Sequence, residues 1–221
     1  MMIYVLFILV VIFSSLIFWI IKKTKKPNYD AIHIEREKAN APKILYLRAF
    51  NNDGDDYSNG NISILHLLPK EMELADALIR SKYHLVAVGR PDEDLPEIGF
   101  HRKKFDHLEW QEEVLKLMEE SVLVIWRPDI TQGVLWELNQ LLKLNYRHKL
   151  IVWAEMGYGN LEDLQKDRYN VFKRTAFEQF SEVFPEYNKY KKFLVSEAMN
   201  QWIALNFLYQ IPIINKILSE K

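Results

Sequence analysis

Glu137 is the residue whose surroundings point most directly to chemistry. On a helix advancing about 100° per residue, Val134, Leu135, Leu138, Leu141, Leu142 and Leu144 form a broad apolar stripe, and Glu137 falls at its edge, between Leu141 and Leu144. Trp136, Gln140 and Lys143 lie on the other side. Burial at such a place raises a carboxyl pKa, whereas a nearby helix N-terminus lowers it. A carboxylate held between these influences is a candidate functional group. The position equally suits a glutamate at a core boundary that reaches out to solvent or pairs with a lysine. Other polar clusters carry less. Asp53, Asp55 and Asp56 lie in the run Asn51 to Asp56, which reads as a solvated turn and lacks the spacing of a calcium loop. His101 and His107 have no third ligand in view, so no metal site is expected. The usual signatures of phosphate loops, dinucleotide-binding turns, zinc proteases and serine hydrolases do not occur. Cysteine is absent, which excludes disulfides, a thiol nucleophile and cysteine zinc sites.

The elements that must hold Glu137 follow from hydropathy. Lys43–Arg48, Leu85–Val88, Val122–Trp126 and Leu150–Trp153 are short apolar runs of strand length. Helical spacing fills the intervals at Pro69–Ser81, Trp110–Ser121 and Val134–Asn145. This alternation predicts βαβ units and a parallel sheet covered on both faces. Right-handed crossovers then gather three loops along the carboxyl edge, Phe50–Asn61, Gly89–Phe105 and Arg127–Gly133. Ligands bind along that edge in such sheets. Beyond Glu155 the pattern weakens. Leu161–Phe184 is expected to be helical, Phe193–Val195 a fifth strand, and Trp202–Leu218 a closing helix packed on the domain.

The first 21 residues carry no charge, and Ile3–Ile21 is almost wholly Ile, Leu, Val and Phe. About 20 apolar residues cross a bilayer as a helix. Lys22, Lys23, Lys25 and Lys26 follow at once, with no basic residue on the other flank. Basic flanks stay inside. The expectation is a single-pass membrane protein, N-terminus outside, C-terminal domain cytoplasmic. Residues 22–42 are then a basic juxtamembrane linker, in part helical. A formal net charge of −1 gives no sign of a nucleic-acid binder.

From Lys43 to Glu155, about half of the chain, the sequence resembles a TIR domain. Ile44–Phe50 followed by Asp53 is similar to the first strand of that family and its aspartate-bearing loop. Leu115–Ser121 and Val122–Trp126 are similar to its helix, serine and buried-strand passage. Thr131–Leu138 resembles its Ser-x-Trp-Cys-x-x-Glu-Leu element, with Gly133 and Val134 at the Trp-Cys pair and a tryptophan at Trp136 instead. The resemblance, to a divergent bacterial branch, implies a flavodoxin-like or TIR-like parallel sheet of four to five strands over residues 43–221, with helices on both faces and a helical C-terminal extension. It implies cleavage of NAD at the nicotinamide–ribose bond on self-association, in defence or cell-death signalling, with Glu137 as the catalytic carboxylate. Phe50 would stack on a ring, and Arg48, Asn51 and Asp53 would contact ribose or phosphate. Arg90 would clamp phosphate or serve assembly, and Trp136, next to the glutamate, would also contact the substrate. NAD would be substrate, with no separate cofactor. A non-catalytic adaptor or a nucleotide-sensing module is the alternative that the same fold allows.

Overall fold

A computed structural model describes residues 28–49, 70–79, 81–89, 99–106, 108–154, 162–197, 201–206, 210 and 212–219. The apolar stretch 1–21 lies outside these residues, as do Phe50, Asn51, Asp53 and Arg90. Among the described residues, no helix is long and apolar enough to cross a membrane.

The chain runs α1 (Tyr29–Lys38), β1 (Lys43–Leu47), α2 (Lys70–Leu78), β2 (His84–Gly89), β3 (His101–Lys104), α3 (Trp110–Glu120) and β4 (Ser121–Trp126). It continues through α4 (Gln132–Lys143), a 3-10 turn (Tyr146–Lys149), β5 (Leu150–Trp153), α5 (Glu162–Phe180), β6 (Phe193–Ser196), β7 (Trp202–Leu205) and α6 (Pro212–Ser219). The strands form one sheet in the order β3-β2-β1-β4-β5-β6-β7. The first five are parallel, and β6 and β7 are added antiparallel at one end.

The α/β expectation therefore holds, with seven strands in place of four to five. The two additions are β3 and β7. β3, His-Arg-Lys-Lys, lies inside the stretch expected to be the Gly89–Phe105 loop, and as an outer strand it buries only Arg102. β7 occupies the start of the segment expected to be one closing helix; only Pro212–Ser219 of that segment is the helix.

Period-two alternation splits the core into two layers. Leu45, Leu47, Val86, Val124, Trp126 and Val152 face one side, covered by α3, α4 and α5. Ile44, Tyr46, Leu85, Ala87, Ile125 and Ile151 face the other, covered by α1, α2 and α6. The central strands β1, β2, β4 and β5 are buried on both faces, as parallel strands between helices must be.

Local chemistry explains several boundaries. Asn28 caps α1 through its side-chain oxygen, which accepts from the Ala31 amide at 3.2 Å. Asp30 in its first turn and Arg36 and Lys38 in its last suit the helix dipole. The end of α3 is held by a buried lysine. Lys149 Nζ donates to the carbonyls of Met118 at 2.7 Å, Ser121 at 2.9 Å and Glu119 at 3.2 Å. Burial lowers the pKa of this ammonium, while its three carbonyl acceptors satisfy its donors.

Candidate functional site

The sheet order reverses between β1 and β4, so the crevice beyond their carboxyl ends is where this architecture receives ligands. Leu47 pairs with Trp126 there, and the Arg127 amide donates to the Leu47 carbonyl at 2.8 Å. Arg48 and Arg127 thus leave the two central strands side by side. Both are buried, at 5% and 2% exposure, and each has interaction partners. The Arg127 guanidinium stands 5.5 Å from the centre of the Trp153 ring, on the face covered by α1, α2 and α6.

After Arg127 the chain turns into α4. The Asp129 carboxylate accepts from the Thr131 amide at 3.0 Å, which sets the turn, and Thr131 in extended conformation opens the helix. Glu137 is the sixth residue of α4, beyond the first turn, so the helix N-terminus exerts less pull on it than the sequence suggests. Its place on the helix also differs. The buried face consists of Val134, Glu137, Leu138 and Leu141, while Leu144 is 44% exposed. Glu137 therefore lies within the apolar face, at 4% exposure, and its Oε2 has no hydrogen-bond partner.

Burial holds the Glu137 carboxyl well above the ordinary carboxylate range. The Trp126 indole N–H opposes this, but it stops short of hydrogen-bond geometry and is itself buried without a hydrogen-bond partner. Among the described residues, no lysine or arginine offsets the burial. Burial thus favours the neutral acid over the carboxylate. Glu182, the other buried glutamate among the described residues, makes the contrast clear. One of its oxygens pairs with Arg147, and the other accepts from the Trp202 indole at 2.9 Å. That glutamate ties the 3-10 turn to β7. Glu137, by contrast, leaves its Oε2 without a hydrogen bond.

Trp136, expected beside the substrate, is half-buried against the start of α3. Its ring meets Trp110 edge to face, with centroids 4.9 Å apart. Trp110 also stands 3.8 Å from where a Cβ on Gly133 would be, so the indole from α3 fills space beside the glycine. A pocket lined by Ala154, Tyr169, Tyr187 and Leu194 lies at the carboxyl end of β5, and Glu137 does not line it. Of the expected site residues, Arg48, Trp136 and Glu137 fall among the described residues. The structure pairs Glu137 with neither Arg48 nor Trp136.

No family model, curated protein or solved structure matches the chain. The site thus stands on its geometry.

Sequence reasoning missed two of its members. Arg127 was legible only as the first residue of a loop. Its burial beside Arg48 depends on the pairing of β1 with β4, which no local pattern encodes. Trp126 was legible as a strand residue, but its approach to Glu137 depends on how α4 packs over β4. Among the described residues, no group of three or more His, Asp or Glu is arranged as a metal set.

Proposed function

We infer that this chain is a membrane-anchored, TIR-like effector that cleaves NAD at the nicotinamide–ribose bond once its copies assemble on the cytoplasmic face of a membrane. The observation that carries this reading is Glu137, a buried carboxyl group whose Oε2 has no hydrogen-bond partner. A buried polar group without a partner costs stability, and groups with strongly shifted pKa values concentrate at functional sites. Its place on α4, the helix that follows the central strand β4, agrees with the position that the resemblance to TIR domains assigns to the catalytic glutamate.

The strand order supports a nucleotide ligand. β2-β1-β4-β5 follows the flavodoxin-like sequence of strands, and β3 outside β2 extends it to the order of dinucleotide-binding sheets. Both arrangements receive their ligands at the point of reversal, here between β1 and β4. Arg48 and Arg127 flank that point with charges suited to a pyrophosphate.

As the nicotinamide leaves, positive charge develops on the ribose, and an ionised Glu137 would stabilise it. In the single chain Glu137 is covered and burial favours its neutral form, which suits a latent state. Assembly has to give the carboxyl access to ligand and lower its pKa. Anchoring copies in one membrane raises their effective concentration and favours that step. Nicotinamide release should therefore depend steeply on surface density when the full-length chain is reconstituted in liposomes with NAD.

The burial of Glu137, which favours its neutral form, also supports a second reading, a nucleotide-sensing module without turnover. In that case NAD or a related nucleotide would bind at the β1/β4 reversal and remain intact at every density. Equilibrium binding measured alongside nicotinamide release separates the two.

A further inference from the structure

Three histidines from three elements meet under α1, away from the site above. His33 comes from α1, His84 opens β2 and His101 opens β3. Their ring centroids lie 5.2 to 5.8 Å apart. His33 and His84 are almost fully buried, at 2% and 1% exposure. The rings form the centre of the seam that holds α1 on the sheet. Around them, Tyr29 bonds Asp76 of α2, Arg36 donates to the Tyr83 carbonyl at 2.7 Å and to the carbonyls of Ile79 and Ser81, and Glu37 pairs with Lys103 at 3.3 Å.

The hydrogen bonds specify the protonation state. His33 Nε2 lies 3.1 Å from the Gly99 carbonyl. A carbonyl only accepts, so Nε2 carries the hydrogen, and Nδ1 is a bare nitrogen. That Nδ1 is buried and has no hydrogen-bond partner. A proton added there would be a buried donor with nothing to receive it. His84 Nε2 and His101 Nδ1 are 3.1 Å apart. One must donate and the other accept, so a proton added to the acceptor turns the bond into two facing N–H groups.

The geometry points to a proton-operated latch: His33, His84 and His101 hold α1 on the sheet while the bare acceptor nitrogens of the cluster take no proton, and mild acid releases α1, the helix that follows residues 1–27 in the chain. This does not depend on the NAD reading. Burial lowers His33 and His84 to about 4 from an ordinary value of 6.5. The charges facing them are mixed. On α1, Asp30 and Glu37 favour the imidazolium and Arg36 opposes it; on β3, His101 and Lys103 oppose it. The docked form binds fewer protons than the released form, so docking is strongest above pH 6.5 and weakens as pH falls from 6.5 toward 4. With two such imidazoles, the docking equilibrium should fall by up to about 100-fold per pH unit inside that window.

Amide hydrogen exchange on the full-length chain in nonionic detergent micelles, from pH 7.5 to 4.5 and corrected for intrinsic rates, tests the latch. The expected result is loss of protection in 29–38 below pH 6.5 while β1 and β4 remain protected. In His84→Gln the two-proton slope should fall toward one. His33→Gln, which keeps a donor for the Gly99 carbonyl, should do the same. Protection of 29–38 that persists to pH 4.5 overturns the latch, as does its loss together with β1 and β4, or an unchanged slope in a folded variant. The wild-type measurement decides by itself if either variant fails to fold.

Discussion

At the scale of single residues, the two buried glutamates set the energetic terms. Glu182 is bonded on both oxygens, to Arg147 and to Trp202. Glu182→Ala would leave a partly buried guanidinium and a buried indole without their acceptor, and should cost about 3 kcal/mol in urea unfolding. Glu137 predicts the opposite sign. Its folded pKa is raised above the unfolded value, so the folded state binds the extra proton. That contribution is fully present below the ordinary value of 4.5 and declines as pH rises toward the folded pKa. Glu137→Gln keeps the shape and removes the ionisation. The variant should match the parent near pH 4 and exceed it in Tm at pH 8 and above; equal Tm values across that range would mean that the carboxyl is not buried. Lys149 is a third case. It closes the end of α3 with three carbonyl contacts, and Lys149→Met should cost about 2 kcal/mol by leaving those carbonyls short of donors.

At the scale of elements, the fit of α1 against the segment before β3 rests on a glycine. Gly99 has φ +76, and a Cβ there would overlap the Ala75 Cβ and press on the Tyr29 ring. Gly99→Ala combines backbone strain with overpacking, each on the order of 1–3 kcal/mol. It should loosen α1 and β3 before the central strands, visible as faster exchange in 29–38 and 101–104.

The same elements show why some of the fold was legible in the chain and some was not. β1, β2, β4 and β5 are continuous apolar runs because helices cover both of their faces. β3 has one buried residue in four and three basic side chains, so it carries no apolar signal. Its strand conformation comes from pairing with β2. β7 was hidden for another reason. Its apolar residues merge with those of α6 into one stretch, and the break between them is tertiary. Glu137 was legible as a carboxyl group beside leucines. Its full burial was not, because the helix is rolled so that Leu144 faces outward. The histidine cluster could not be found from spacing, since His33 and the carbonyl that it meets are 66 residues apart.

At the scale of the whole molecule, the sheet order places a ligand edge at the β1/β4 reversal, and α1 is the first described element after residues 1–27. On the proposed reading, the burial of Glu137 and the upward shift of its pKa mark a latent molecule that would act only on assembly. The most direct test is nicotinamide release from NAD by the full-length chain reconstituted at high density in liposomes, with the wild type and Glu137→Gln compared at equal loading and verified fold. The account predicts density-dependent release by the wild type and a loss of about 100-fold or more in the variant, the scale on which removing one preorganised charge-stabilising group acts. Equal release by the two proteins would contradict a catalytic role for Glu137, and no release by either at any density would contradict the NAD-cleaving function itself.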